Sequence, residues 1–187
     1  MSHPSREHWE AVKWVLRYAA GAYEMCLTFK KSTEFIVEGY SDSDYATDLD
    51  KRRSVSEIVF KVGGNTVSWK SGLQSVVALS TTEVEFMALT LAVKKAIWLR
   101  GFTSEFGYKQ DSLRIDCDSQ SAIALSKNAV HHERTKHMDT QFNFIRDIVA
   151  KRIVSLAKIH TSKNPSDFLT KCVPGTKFQL CCDSLNV

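Results

Sequence analysis

Residues 54–71 read "SVSEIVFKVGGNTVSWKS". β-branched and aromatic residues flank the Gly63-Gly64 pair, a pattern that predicts strand, tight turn, strand. Upstream, "EFIVEGYSDSDYA" (34–46) predicts another strand, which ends in carboxylates. Downstream, a long helix is expected from about Thr81 to Arg100. "SLRIDC" (112–117) reads as a short strand, followed at once by the helix "DSQSAIALSKN" (118–128), which Asp118 is placed to cap. An amphipathic helix over "TKHMDTQFNFIRDIVAKR" (135–152) and a strand over "IVSLAKIH" (153–160) come next. "NPSDFLTKCV" (164–173) is expected to open a last helix, with Asp167 in its first turn. Near the N-terminus, Ser5 reads as the cap of a helix carrying Trp9, Val12, Trp14, Val15, Leu16 and Tyr18, with Gly21 at its exit. Three strands in hairpin succession, then helix, strand, helix, strand, helix, imply an α/β fold. Its sheet would be mixed, antiparallel in one half and parallel in the other.

The bulk properties are compatible with this reading. A chain of 187 residues, 43% of them hydrophobic, is long enough for one well-cored domain. A net charge of +4 permits a polyanionic partner without requiring one. The five cysteines are an odd count with no metal-type spacing, as expected for reduced thiols of an intracellular protein, cytoplasmic or nuclear. No run reaches the roughly 18 apolar residues of a membrane span. Charged residues throughout the first 30 positions argue against a signal peptide.

The carboxylates carry the chemistry. Paired acids at the end of a strand repel each other and desolvate badly, so they serve folding poorly. They suit hard cations, which take oxygen ligands. Alternation puts Asp42 and Asp44 on one strand face, and Asp116 and Asp118 on another. "STTEVEF" (80–86) offers Glu83 and Glu85. At 100° per residue from Ala92, Glu85 falls at about −20°, beside Ala88, Leu89 and Ala96, and Glu83 falls at about 180°. Glu85 is therefore expected to face the sheet and Glu83 the solvent.

Five motifs, in order, support an identification: "GYSDSDYATDLDKRRSVS" (39–56), "SWKSGLQSVVALSTTEVEFMAL" (68–89), "CDSQSAIALSKN" (117–128), "HERTKHMD" (132–139) and "NPSDFLTK" (164–171). Together they resemble the ribonuclease H region that closes the polyprotein of copia-type LTR retrotransposons, particularly those of plants. The resemblance implies a ribonuclease H-like fold, with a five-stranded mixed sheet and helices on both faces. It also divides the chain into residues 1–30, similar to the end of a reverse transcriptase region, and residues 31–187, the ribonuclease H domain.

The family's four acids fall by motif on Asp42, Glu85, Asp118 and Asp167. The implied activity is Mg²⁺-dependent hydrolysis of the RNA strand of RNA/DNA hybrids, leaving 5′-phosphate and 3′-hydroxyl ends. Two Mg²⁺, or Mn²⁺ as a substitute, would be held, one by Asp42 and Asp167 and the other by Asp42, Glu85 and Asp118. For the hybrid, the resemblance points to Thr81, Thr82, Ser119 and Gln120. Trp69, Lys70 and Gln74 read either as contacts to the DNA strand or, for Trp69, as core. Arg134 and Lys136 lie where some relatives carry a basic hybrid-binding protrusion. His160, seven residues before Asp167, is read as a strand-end histidine. The chain departs from the pattern at Val55-Ser56-Glu57-Ile58, where such sequences usually show Thr-Ser-Gly-Tyr. A second reading, of a different class, is a catalytically weak descendant kept as a nucleic-acid-binding or protein-interaction module. The reverse transcriptase region of a parent polyprotein is the expected covalent partner, and the sequence leaves oligomeric state open.

Overall fold

The computed structural model describes residues 3–127, 139–169 and 171–187. The hairpin forms as β2 (Val55–Val62) and β3 (Asn65–Leu73), joined through Gly63 and Gly64. Both glycines have positive φ, which the turn requires and other side chains resist. β1 (Val37–Asp44) pairs antiparallel with β2. β4 (Leu113–Cys117) and β5 (Val154–Lys158) add in parallel on the other side of β1, giving the order β3-β2-β1-β4-β5. This is the expected mixed five-stranded sheet.

The long helix, α2 (Thr81–Glu105), runs across one face of the sheet. Its Phe86, Leu89, Val93 and Ala96 share a buried core with Ile58 and Phe60 of β2 and Ile115 of β4. α3 (Gln120–Lys127) and α4 (Asp139–Ala150) complete that layer, with Phe142 and Ile145 in the same core. Each of the larger side chains here, Val, Leu, Ile or Phe, contributes about 1.5–3 kcal/mol when fully buried. The opposite face is met by α5 (Gly175–Leu185), whose last carbonyls accept hydrogen bonds from Lys61 and Thr66. Helices therefore occupy both faces.

Three local expectations are corrected. "NPSDFL" forms only a 3₁₀ turn at Asp167–Leu169, and the last helix waits until Gly175, just after Pro174. α3 is capped by Ser119, whose hydroxyl accepts the Ala122 N–H at 3.2 Å, and Asp118 is left for other contacts. α2 also runs through Gly101 to Glu105, because tertiary packing outweighs the roughly 1 kcal/mol helix penalty of one glycine.

The first helix, α1 (Arg6–Gly21), begins after Ser5 as expected and contains no buried residue. The cysteines are unpaired thiols, with Cys117, Cys181 and Cys182 buried. Among the described residues, no helix is long and apolar enough to cross a membrane.

Candidate active site

Chain direction places the site. From β1 the chain passes outward to β2, whereas from β4 it passes the other way to β5, so the sheet order reverses between β1 and β4. In open α/β sheets, ligands bind outside the carboxyl ends of the strands at such a point. Asp42 lies near the carboxyl end of β1 and Asp118 just beyond β4.

The segment after β5 is pinned against the same edge. The buried Asn164 side chain donates to the Ser41 carbonyl of β1 at 3.1 Å, and its own oxygen accepts from the Ser166 hydroxyl at 2.7 Å. That clamp sets Asp167 beside Asp42. One ammonium, Lys171 Nζ, donates at 2.8 Å to both Asp42 Oδ2 and Asp167 Oδ1. Lys177 pairs with the other oxygen of Asp167 and reaches the Thr161 carbonyl at 3.2 Å. On the α2 side, Glu85, Asp118 and Cys117 bring one ligand atom each to within 4.8 Å of one another. Asp118 accepts the Thr161 hydroxyl at 2.7 Å, and Glu85 is hydrogen-bonded by the Ser43 side chain.

Crowding of acids in a buried place governs their protonation. Burial pushes the Glu85 carboxyl up to about 8, and the charges of Asp42 and Asp118 push the same way. Glu57, directly across from Asp42 in the β1–β2 register, is likewise raised to about 8, first by burial and then by Asp42. Burial also raises Asp42, against the pull of Lys171. Burial opposes the Lys171 charge most strongly of any one cause, yet Lys171 is raised, because its bond to Asp42 and the charges of Asp42, Glu57 and Asp44 together outweigh it. Burial drives the Cys117 thiol up to about 12, so it stays protonated and is a poor ligand beside carboxylates.

This donor set fits a hard divalent cation. Its ligands are carboxylate oxygens. Glu85 Oε2 is buried with no hydrogen-bond partner among the described residues. Asp42 and Asp167 already share one positive charge.

The other expected residues are dispersed. Glu83 is corrected: it is buried, not solvent-facing, and its carboxylate accepts the Leu79 N–H at 2.8 Å at the start of α2. Gln74 is also corrected as a substrate contact, since it is buried and its amide donates to Ser56 Oγ and the Val84 carbonyl. Trp69 is 58% exposed on the edge strand β3, which removes the core alternative, and Lys70 beside it is exposed. Thr81 and Gln120 are exposed. Thr82 donates to Ser121 at 3.2 Å, linking α2 to α3 next to Ser119. Arg134 and Lys136 lie outside the described residues. His160 caps the turn that follows β5, accepting the Ser162 N–H. Asp116 is paired with Arg114 at 2.8 Å.

Sequence reasoning missed Lys171, Lys177, Asn164 and the inward aim of Glu57. Only Lys171 left a local trace, four residues after Asp167.

No protein-family model matches the chain. It is 48% identical over 181 residues, 97% of its length, to the retrovirus-related Pol polyprotein from transposon TNT 1-94 of Nicotiana tabacum. It is 32% identical over 180 residues, 96% of its length, to the corresponding polyprotein from transposon RE2 of Arabidopsis thaliana. The chain spans only 14% and 12% of the lengths of these relatives. Among solved structures it is similar to an N-terminal RNase H domain from Mycobacterium tuberculosis, determined as a fusion with maltose-binding protein. That match has a TM-score of 0.51 at 10% identity and covers 79% of this chain and 98% of the other. At that identity the likeness shows the fold, which is that of ribonuclease H.

Proposed function

Because this chain belongs with the retrovirus-related Pol polyproteins of plant transposons, we propose that it is the ribonuclease H portion of such a polyprotein. On this reading it is an endonuclease that cleaves the RNA strand of RNA/DNA hybrids inside the cell, in the cytoplasm or nucleus, and leaves 5′-phosphate and 3′-hydroxyl ends. The observation that supports the reading is two acid groups at one end of the sheet: Asp42 and Asp167 bridged by Lys171, and Glu85 beside Asp118, whose charges both act on Asp42 or feel it. Asp42 and Asp167 would hold one Mg²⁺, and Asp42, Glu85 and Asp118 the other, with Mn²⁺ as a substitute. Such a pair of cations activates the attacking water and neutralises the charge on the leaving oxygen.

The chain's own residues prepare that site. Lys171 and Lys177 neutralise Asp42 and Asp167 before a cation arrives, so the carboxylates stand close without repelling each other apart. Burial holds a proton on Glu85, which a cation bound there would displace, so cation binding would tighten as pH rises. The Thr161 hydroxyl orients Asp118. The joined N-termini of α2 and α3 form one lip, with Thr81, Thr82, Ser119 and Gln120 there to meet the hybrid. Reading a 2′-hydroxyl at that lip separates RNA from DNA. Trp69 and Lys70 on β3, and Arg134 and Lys136, extend the grip, which a neighbouring reverse transcriptase region would complete.

A hybrid labelled on either strand tests the reading. Cleavage of the RNA strand with Mg²⁺, abolished by a chelator and absent on the DNA strand, is the expected result. The two lysines seated on Asp42 and Asp167 favour a second reading, a nucleic-acid-binding module in which they exclude the metal. Hybrid binding without cleavage at any Mg²⁺ concentration would support that second reading against the first.

A further inference from the structure

Glu57 has no role in the mechanism above, and it is hard to explain as a folding residue. It sits in β2 as the register partner of Asp42, so the two side chains leave the same face of the sheet side by side. Like charges in that position destabilise a strand pair. Glu57 is 0% exposed, and neither carboxylate oxygen has a hydrogen-bond partner among the described residues. The cation that acts on it is committed elsewhere: the Lys171 ammonium serves Asp42 and Asp167. A glycine at this place would avoid the burial cost altogether.

We propose that Glu57 is a fifth carboxylate of the cation site, a ligand that this chain adds beside Asp42. The inference rests on the reading of Asp42, Glu85, Asp118 and Asp167 as a divalent-cation site. A hard cation next to Asp42 supplies the partner that Glu57 lacks, and a further anionic oxygen ligand strengthens its hold. Glu57 therefore lets the protein load a divalent cation before the substrate's phosphate contributes its own oxygens.

The test is calorimetric titration of the whole chain with MnCl₂ alone, without nucleic acid, alongside thermal melts. The parent is compared with Glu57→Gln, Glu57→Gly and Asp42→Asn. Loss of the fifth ligand in Glu57→Gln and Glu57→Gly should weaken Mn²⁺ binding by roughly 10-fold or more. The same variants should melt higher than the parent in chelator, since an unpartnered buried acid is gone, and should gain less on adding Mn²⁺. Parent-like Mn²⁺ affinity in a folded Glu57→Gln, with binding lost in Asp42→Asn, overturns the inference and leaves the four-acid site standing. A parent that binds no Mn²⁺ overturns both.

Discussion

Glu83 and Glu85 are one residue apart and take opposite employment. Helical geometry put Glu85 inward, and it lies against Ser43 and beside Asp118. The same geometry failed for Glu83. A wheel knows only one helix axis, whereas the first turn of α2 is covered from several sides and Glu83 folds back to hold the Leu79 N–H. Glu85→Gln should abolish hybrid cleavage in a folded protein. Glu83→Ala should lower stability by about 1 kcal/mol and leave cleavage per folded molecule unchanged. Gel assays and urea titrations of the two variants read these outcomes, and swapped phenotypes would reverse the assignment. Protonation gives another test. Glu57 and Glu85 both titrate near 8 in the folded chain, far above the ordinary 4.5. The folded state then keeps protons that the unfolded chain releases. Their contribution to stability without metal is therefore fullest below about pH 4.5 and is lost as pH rises toward 8, with a slope of up to about 1.4 kcal/mol per pH unit for each group. Urea unfolding in chelator between pH 5 and 8 measures this, and a flat or rising profile contradicts it.

The hairpin around Gly63-Gly64 and the acid-ended β1 were legible because alternation and turn chemistry are local. The "NPSDFLTK" element was not. Its position depends on the Asn164 amide reaching the Ser41 carbonyl across the molecule, and no spacing in the sequence signals that bond. Glu57 was legible as a departure from the family pattern, but not as an inward carboxylate, because strand alternation is ambiguous where one face is covered by a late helix. β1 carries a further constraint at Gly39, where an added Cβ would stand 2.5 Å from a ring carbon of Phe60. Phe60 is fully buried and cannot swing clear. Gly39→Ala should therefore cost about 1–3 kcal/mol by overpacking. Chemical denaturation measures it, and an unchanged midpoint would mean that the β1–β2 contact is looser than described.

For the whole molecule, one sheet and its two helical layers bring together acids that lie 125 residues apart in sequence, from Asp42 to Asp167. The fold class and the motif acids could be read from the sequence, but the lysine bridge between Asp42 and Asp167 needed the assembled chain. The proposed division at residue 30 belongs to this scale. α1 buries nothing, whereas Thr28 and Lys30 hydrogen-bond to Asn186 and Asn65 of the domain. Deleting residues 1–22 should move Tm by less than about 4 °C, and deleting 1–30 should lower it further. Loss of a cooperative melt on the shorter deletion would make α1 part of the core unit. The central claim is that Asp42 and the acids around it form a hydrolytic centre for RNA paired to DNA. Its most direct test is Mg²⁺-dependent cleavage of an end-labelled RNA/DNA hybrid by the parent and by Asp42→Asn, both confirmed folded. Cleavage of the RNA strand by the parent, absent in Asp42→Asn, is predicted. Equal cleavage by both, or none by the parent at any Mg²⁺ concentration, would contradict it.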